Sequence, residues 1–255
     1  AQYGLPPPVY VIGTEVPVPG GEASLEIGLA VTTPQAAATT LAIHRQAFAS
    51  PDLQSAWERV IAMVVQPGVD FDHSSVHYYA PDQAAALSAF VEQQPRIVFE
   101  AHSTDYQTEA GLRALVRDHF AILKVGPAAT YAFREAVFAL ARIEAELLPA
   151  AQCSQLIEVL DQTMLDKPGY WRSYYTGSEA EQQRLRRYSP SDRTRYYWGE
   201  PAVQAALAVL VDNLTRQRPP LMLLSQYLPE QRAAVEAGTL RGAPLALSQH
   251  KDALR

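Results

Sequence analysis

Arg96-Ile-Val-Phe-Glu-Ala-His-Ser-Thr-Asp105 and Asp118-His-Phe-Ala-Ile-Leu-Lys-Val-Gly-Pro-Ala128 decide the fold. Each carries a short, continuous apolar run, Arg96–Glu100 and Phe120–Val125, that breaks abruptly into polar residues. Between them Thr108–Asp118 has helical apolar spacing. Strand, helix and strand in that order make a right-handed βαβ unit, and continuous apolar strands suit a parallel sheet covered on both faces. The alternation continues toward the N-terminus. Val9–Gly13 and Val60–Val65 read as two earlier strands. Thr33–Ala49, with Thr33 as N-cap and Pro34 at the first helical position, and Pro81–Gln94 read as the helices between strands.

After Ala128 the pattern turns helical. Thr130–Leu148, Ser154–Leu165, Ser178–Tyr188, Ser191–Trp198, Pro201–Thr215 and Pro229–Glu236 are the expected helices, with an aromatic segment at Tyr170–Tyr175. Four βα units do not close a barrel, which takes eight strands. The expected class is therefore α/β: residues 1–148 as the C-terminal half of a TIM (β/α)8 barrel, residues 149–255 as a helical C-terminal region. The chain opens Ala1-Gln-Tyr-Gly-Leu-Pro-Pro-Pro8 and runs straight into an apolar strand. That reads as an entry in mid-fold, with an upstream segment or a partner chain supplying the remaining strands.

Composition narrows the function. The chain is 48% hydrophobic and 19% charged, with a formal net charge of −6. This is a globular composition, and it offers no basic surplus for nucleic acid. The densest basic stretch, Arg184, Arg186, Arg187, Arg193 and Arg195, is interleaved with acids and tyrosines. No apolar run reaches the roughly 18 residues of a membrane span, and the N-terminus lacks a signal-peptide pattern, so the expected location is cytoplasmic. Cys153 is the single cysteine and reads as a packing residue. No Gly-x-x-x-x-Gly-Lys-Ser/Thr loop occurs, which excludes a P-loop kinase, and no Gly-x-Gly-x-x-Gly occurs for a dinucleotide.

In parallel α/β folds the chemistry gathers at the carboxyl ends of the strands. Here those ends carry Glu15, Gln66, Glu100, His102 and Lys124. Alternation along a strand puts Glu100 and His102 on one face. Glu15, Glu100 and Lys124 are the catalytic candidates. Gln66, Ser103, Thr104, Gly126 and Thr130 are the phosphate-binding candidates, because Gly126-Pro-Ala-Ala-Thr130 leads into a long helix whose N-terminus can meet an anion. Gly20-Gly21 is a weaker second place for one. His102 is a candidate zinc ligand, with Glu100, His73 and Asp70 as possible companions. Lys124 is also placed as a Schiff-base lysine would be. Each has a structural alternative. Glu100 and Lys124 can be an ion pair closing a packed interior, His102 a hydrogen-bonded core histidine, and Asp72-His73 a loop pair. His44 and His119 read as structural, and His250 as solvated.

Several blocks resemble a known family: Tyr10-Val-Ile-Gly-Thr-Glu-Val-Pro-Val-Pro-Gly-Gly-Glu22, Val65-Gln-Pro-Gly-Val-Asp-Phe-Asp-His-Ser74, Phe99-Glu-Ala-His-Ser-Thr-Asp-Tyr-Gln-Thr108, Asp118–Ala128, Tyr188-Ser-Pro-Ser-Asp-Arg-Thr-Arg-Tyr-Tyr-Trp198 and Ser225-Gln-Tyr-Leu-Pro229. Together they resemble the Z-type subunit of class II D-tagatose-1,6-bisphosphate aldolase, a family also known under the name tagatose 6-phosphate kinase. The resemblance implies a TIM-type barrel followed by C-terminal helices. It also implies an accessory role beside a separate, zinc-bearing catalytic subunit, in cytoplasmic catabolism of galactitol or N-acetylgalactosamine. The sugar phosphate would be the ligand and a homo-oligomer would be possible. Family members carry four more βα units upstream, including a Gly-Gly-Asp-His block that this chain lacks.

Overall fold

The computed structural model describes residues 4–13 and 29–240. The chain divides into two compact units, Ala1–Ala128 and Ala129–Arg255. The division between Ala128 and Ala129 lies within the first turn of the long helix.

In the first unit, strands β1 (Tyr10–Ile12), β2 (Val60–Val65), β5 (Val98–Ala101) and β6 (Phe120–Leu123) form a parallel sheet in the order β1-β2-β5-β6. Between them lie α1 (Pro34–Ala47), α2 (Pro51–Trp57), α3 (Pro81–Glu92) and α4 (Glu109–Arg117). The helix starts follow the local chemistry. Thr33 accepts the Ala36 N–H ahead of Pro34, and Thr108 accepts the Gly111 N–H. His119 takes a left-handed φ of 73° to turn the chain from α4 into β6.

One rung crosses the whole sheet: Ile12 pairs with Met63, Met63 with Phe99, and Phe99 with Phe120. All four are buried, and they join Leu41, Leu87, Val91 and Leu115 from the helices in one apolar core. The register then shifts. Glu100 aligns with Ile122, so Ala121 is an extra residue on β6. A bulge of this kind re-aims the residues beyond it. It places Lys124, two residues past Ile122, on the same side as Glu100.

Among the described residues, the sequence reading missed α2, the small antiparallel hairpin of β3 (Asp70–Phe71) with β4 (Val76–His77), and α9 (Leu221–Tyr227). Asp72 closes the hairpin turn by accepting the N–H groups of Ser74 and Ser75, each at 2.6 Å. Burial opposes ionisation of Asp72, but those N–H donors outweigh it and hold its carboxyl below the usual range.

The second unit holds all but the first residue of α5 (Ala128–Leu147), with α6 (Leu156–Asp166), α7 (Glu179–Tyr188), α8 (Pro201–Arg216), α9 and α10 (Pro229–Glu236). Ile143, Leu156, Leu160, Trp171, Tyr175, Tyr197 and Leu210 form its core. The helix expected over Ser191–Trp198 is only a 3-10 turn at Arg193–Tyr196, because Asp192 sits at a left-handed φ of 39° that an α-helix cannot pass through. Two buried carboxylates here are each met by several donors. Glu144 accepts the Ser154 N–H, the Ser154 hydroxyl and the Asn213 amide. Asp161 accepts Arg186 Nε at 2.6 Å, and Arg187 at 3.2 Å.

Removing one partner of a buried pair leaves the other charge uncompensated, which typically costs about 3–5 kcal/mol. Asp161→Ala is expected to destabilise the chain by that order, read as a drop in the denaturant midpoint. A shift under about 1 kcal/mol would show that Arg186 finds another partner or reaches water.

Candidate functional site

The carboxyl ends of β5 and β6 bring three of the expected residues together. Glu100 is buried, and His102 Nε2 lies 2.7 Å from its Oε1. A carboxylate oxygen at that distance accepts, so the imidazole Nε2–H donates. Lys124 Nζ stands 3.5 Å from the same oxygen. The exposure is graded: the side chain of Glu100 is 7% accessible, His102 26% and Lys124 57%. The cluster is thus anchored by a buried carboxylate and opens to solvent through an ammonium.

The other expected residues play visible local parts. Gln66 shapes the turn after β2: its side-chain oxygen accepts the N–H groups of Gly68 at 2.8 Å and Val69 at 3.0 Å. Gly68 has a φ of 90°, and a Cβ there would meet Val31 at 3.1 Å, so glycine is required. The Gln66 backbone is tied to Thr32, whose hydroxyl accepts its N–H. Thr104 is buried, and both its N–H and its hydroxyl donate to the Lys124 carbonyl, at 3.1 and 3.0 Å. Ser103 takes a left-handed φ of 53° in the same loop, and Tyr106 takes one of 63°. Two non-glycine residues in that region within four positions mark a loop held by its surroundings.

At the N-terminus of α5, Gly126 N–H donates to Asp105 Oδ1 at 2.9 Å, and Ala128 N–H donates to the same oxygen at 2.9 Å. The position where the sequence suggested a phosphate already holds an anion from the chain itself. Thr130 lies farther along α5, in the second unit. Glu15 and Gly20-Gly21 lie outside the described residues, as does His250.

Sequence reasoning missed Asp105 and Gln107. Both are buried. Gln107 joins the loop to the hairpin, accepting the Tyr79 N–H at 2.9 Å and donating to the His77 carbonyl at 2.8 Å. Their signal was weak: two polar residues in a loop segment, with nothing in the pattern to mark them as buried. Nearby, the Tyr79 hydroxyl donates to Asp118 at 2.8 Å. Arg117, then the Tyr79 hydroxyl, hold the Asp118 carboxyl below its usual range against the opposing effect of burial.

The zinc expectation has its test in the donor set. Among the described residues no group of three His, Cys, Asp or Glu side chains could hold a metal ion. His73 and Asp70 do not assemble with His102 and Glu100 into such a group. The Glu100 oxygen that a metal would share with His102 also faces the Lys124 ammonium, which opposes a dication there. The described donors do not fit zinc.

In parallel α/β folds, small polar ligands generally bind outside the carboxyl ends of the strands, where this cluster stands. The particular family is also clear. Residues 1–253 match the D-tagatose-1,6-bisphosphate aldolase subunit GatZ/KbaZ-like family, and the chain belongs to it. It is similar to the crystal structure of a probable tagatose 6 phosphate kinase from Sinorhizobium meliloti 1021, with 46% identity and a TM-score of 0.82. The similarity covers 94% of this chain, which spans 58% of that structure's chain. Among the described residues no helix is long and apolar enough to cross a membrane.

If Thr104 serves to tie the two strand ends together, its hydroxyl contributes one modest bond. Thr104→Val keeps the shape and removes the donor, while the Thr104 N–H still serves the Lys124 carbonyl. A loss of about 1 kcal/mol in unfolding free energy is expected from denaturant titration. Gly126→Ala adds a Cβ that meets nothing within 4 Å, and is expected to stay within about 0.5 kcal/mol of the parent.

Proposed function

We propose that the chain is part of an accessory subunit of D-tagatose-1,6-bisphosphate aldolase, supporting the stability and activity of a separate catalytic subunit. In this reading the partner carries the zinc and cleaves the sugar bisphosphate to dihydroxyacetone phosphate and glyceraldehyde 3-phosphate. The parallel sheet is the C-terminal half of a TIM-type barrel, and the protein works in the cytoplasm in galactitol or N-acetylgalactosamine catabolism. Family membership supplies the reaction. One structural observation carries the accessory role: the groups that could do chemistry are engaged with one another. Glu100 takes both His102 and Lys124, and Asp105 takes the amides of the α5 N-terminus. Lys124 is the counter-ion of a carboxylate and largely open to water, whereas a Schiff-base lysine is set in an apolar pocket or beside another cation.

A second reading keeps the same cluster as a sugar-phosphate site of an enzyme in its own right, either a metal-dependent aldolase or a tagatose 6-phosphate kinase. The exposed Lys124 and half-buried His102 favour binding of an anionic sugar. Against the kinase stands the lack of a P-loop sequence.

Cleavage of D-tagatose 1,6-bisphosphate separates the two. The protein alone is expected to be inert, and to raise or prolong the activity of a class II catalytic subunit when the two are mixed. Cleavage by the protein alone that a chelator abolishes would overturn the accessory reading. Under the second reading dihydroxyacetone phosphate should raise the melting temperature, and Lys124→Ala should remove that shift.

A further inference from the structure

Lys124 presents a problem that the cluster alone does not solve. Its side chain is long and more than half exposed, so its own packing cannot keep the ammonium at Glu100. Its location must come from the backbone. β6 ends at Leu123, one residue earlier. The Lys124 N–H donates to the Ala101 carbonyl at 2.9 Å, and the Lys124 carbonyl accepts from Thr104 twice. Beyond Lys124 the segment leaves the sheet. There Asp105, 2% exposed, reaches across and accepts the N–H groups of Gly126 and Ala128.

We propose that Asp105 is a positioning residue: it clamps the segment after Lys124 to the loop after β5, and so keeps the Lys124 ammonium on Glu100. Its carboxylate is aimed at backbone amides, and its effect on the ligand passes through Lys124. The inference deepens the reading above, since it names what fixes the ammonium of the cluster, and it rests on that reading only for the cluster's purpose. An alternative use of the same amides, as a cradle for the ligand's phosphate, would require a buried carboxylate to leave the place it fills.

The arrangement makes a specific mutational pattern. Loss of Asp105 has two possible effects on Lys124. A direct effect of its charge would act whether or not Glu100 is present. A positional effect acts only through the Lys124–Glu100 pair, so it vanishes once Glu100 is neutral.

The lysines of the chain are Lys124, Lys167 and Lys251. Reductive methylation with 13C-formaldehyde keeps their charge and gives each a resolved methyl signal, with Lys124 assigned by Lys124→Arg. In the parent, Glu100→Gln is expected to move the Lys124 signal toward that of a freely solvated lysine. Asp105→Ala should produce most of that displacement, and the double variant Glu100→Gln/Asp105→Ala should go no further than Glu100→Gln alone. Asp105→Asn keeps an oxygen that can accept both amides and should leave the signal near the parent's. Lys167, in the other unit, should not move in any of them and reports general loss of structure. The proposal is overturned if Asp105→Ala lowers the melting temperature while the Lys124 signal stays in place, or if the two displacements add. Should Asp105→Ala not fold, Asp105→Ser, with one short acceptor, is expected to show an intermediate displacement, and none at all would overturn the proposal. The signal is read without ligand, so failure of sugar-phosphate binding leaves this outcome untouched, and the reverse holds too.

Discussion

A carboxylate nearly withdrawn from water is the constraint around which the strand ends are arranged. Leaving Glu100 buried and ionised without partners would be prohibitive, so the fold must bring it compensation. It does so from two directions. His102 comes from the same strand face two residues on, and Lys124 comes from the neighbouring strand. The second depends on the bulge in β6, because without the extra residue at Ala121 the alternation would carry Lys124 to the other face. A local irregularity in pairing and the electrostatics of the site are thus one fact seen at two levels.

The strands were legible because continuous β-branched runs bounded by polar residues have few other readings. The cluster was half legible. Strict alternation puts Glu100 and His102 on one face, but a bulge leaves no mark in a single sequence, so the reach of Lys124 to Glu100 was not derivable from spacing. The hairpin at Asp70–His77 was missed because strands of two residues carry no periodicity. The expected helix at Ser191–Trp198 failed for a reason the sequence half states. Pro190 and Asp192 are turn formers, and the left-handed Asp192 restarts the chain as a 3-10 turn.

The α5 N-terminus shows how a sound principle can misassign a partner. Free N–H groups at a helix start attract an anion, and a glycine-containing loop ahead of a helix invites the thought of phosphate. The same electrostatics is satisfied equally well by a carboxylate from the chain. Asp105 stands 21 residues before Gly126 in sequence and reaches it only because consecutive parallel strands end side by side. The demand for negative charge was readable from the sequence; its internal source was a consequence of topology.

The helical unit repeats this lesson with the opposite sign. The stretch from Arg184 to Arg195 is the densest basic run of the sequence, interleaved with Tyr188 and Asp192. In the folded chain Arg186 and Arg187 converge on Asp161. Arg193 lies 3.1 Å from the Tyr174 ring centroid and donates to the Tyr170 carbonyl, and burial pushes its pKa down. Arg195 donates to the carbonyls of Ser191 and Asp192. A guanidinium offers five donors in a flat fork, which suits it to stitching together irregular backbone such as the left-handed turn at Asp192. That turn leaves carbonyls outside any helix ladder, and Arg195 takes two of them. Four of the five arginines are therefore engaged within the chain: Arg186 and Arg187 by a buried carboxylate, Arg193 by a ring and a carbonyl, and Arg195 by the backbone of the turn.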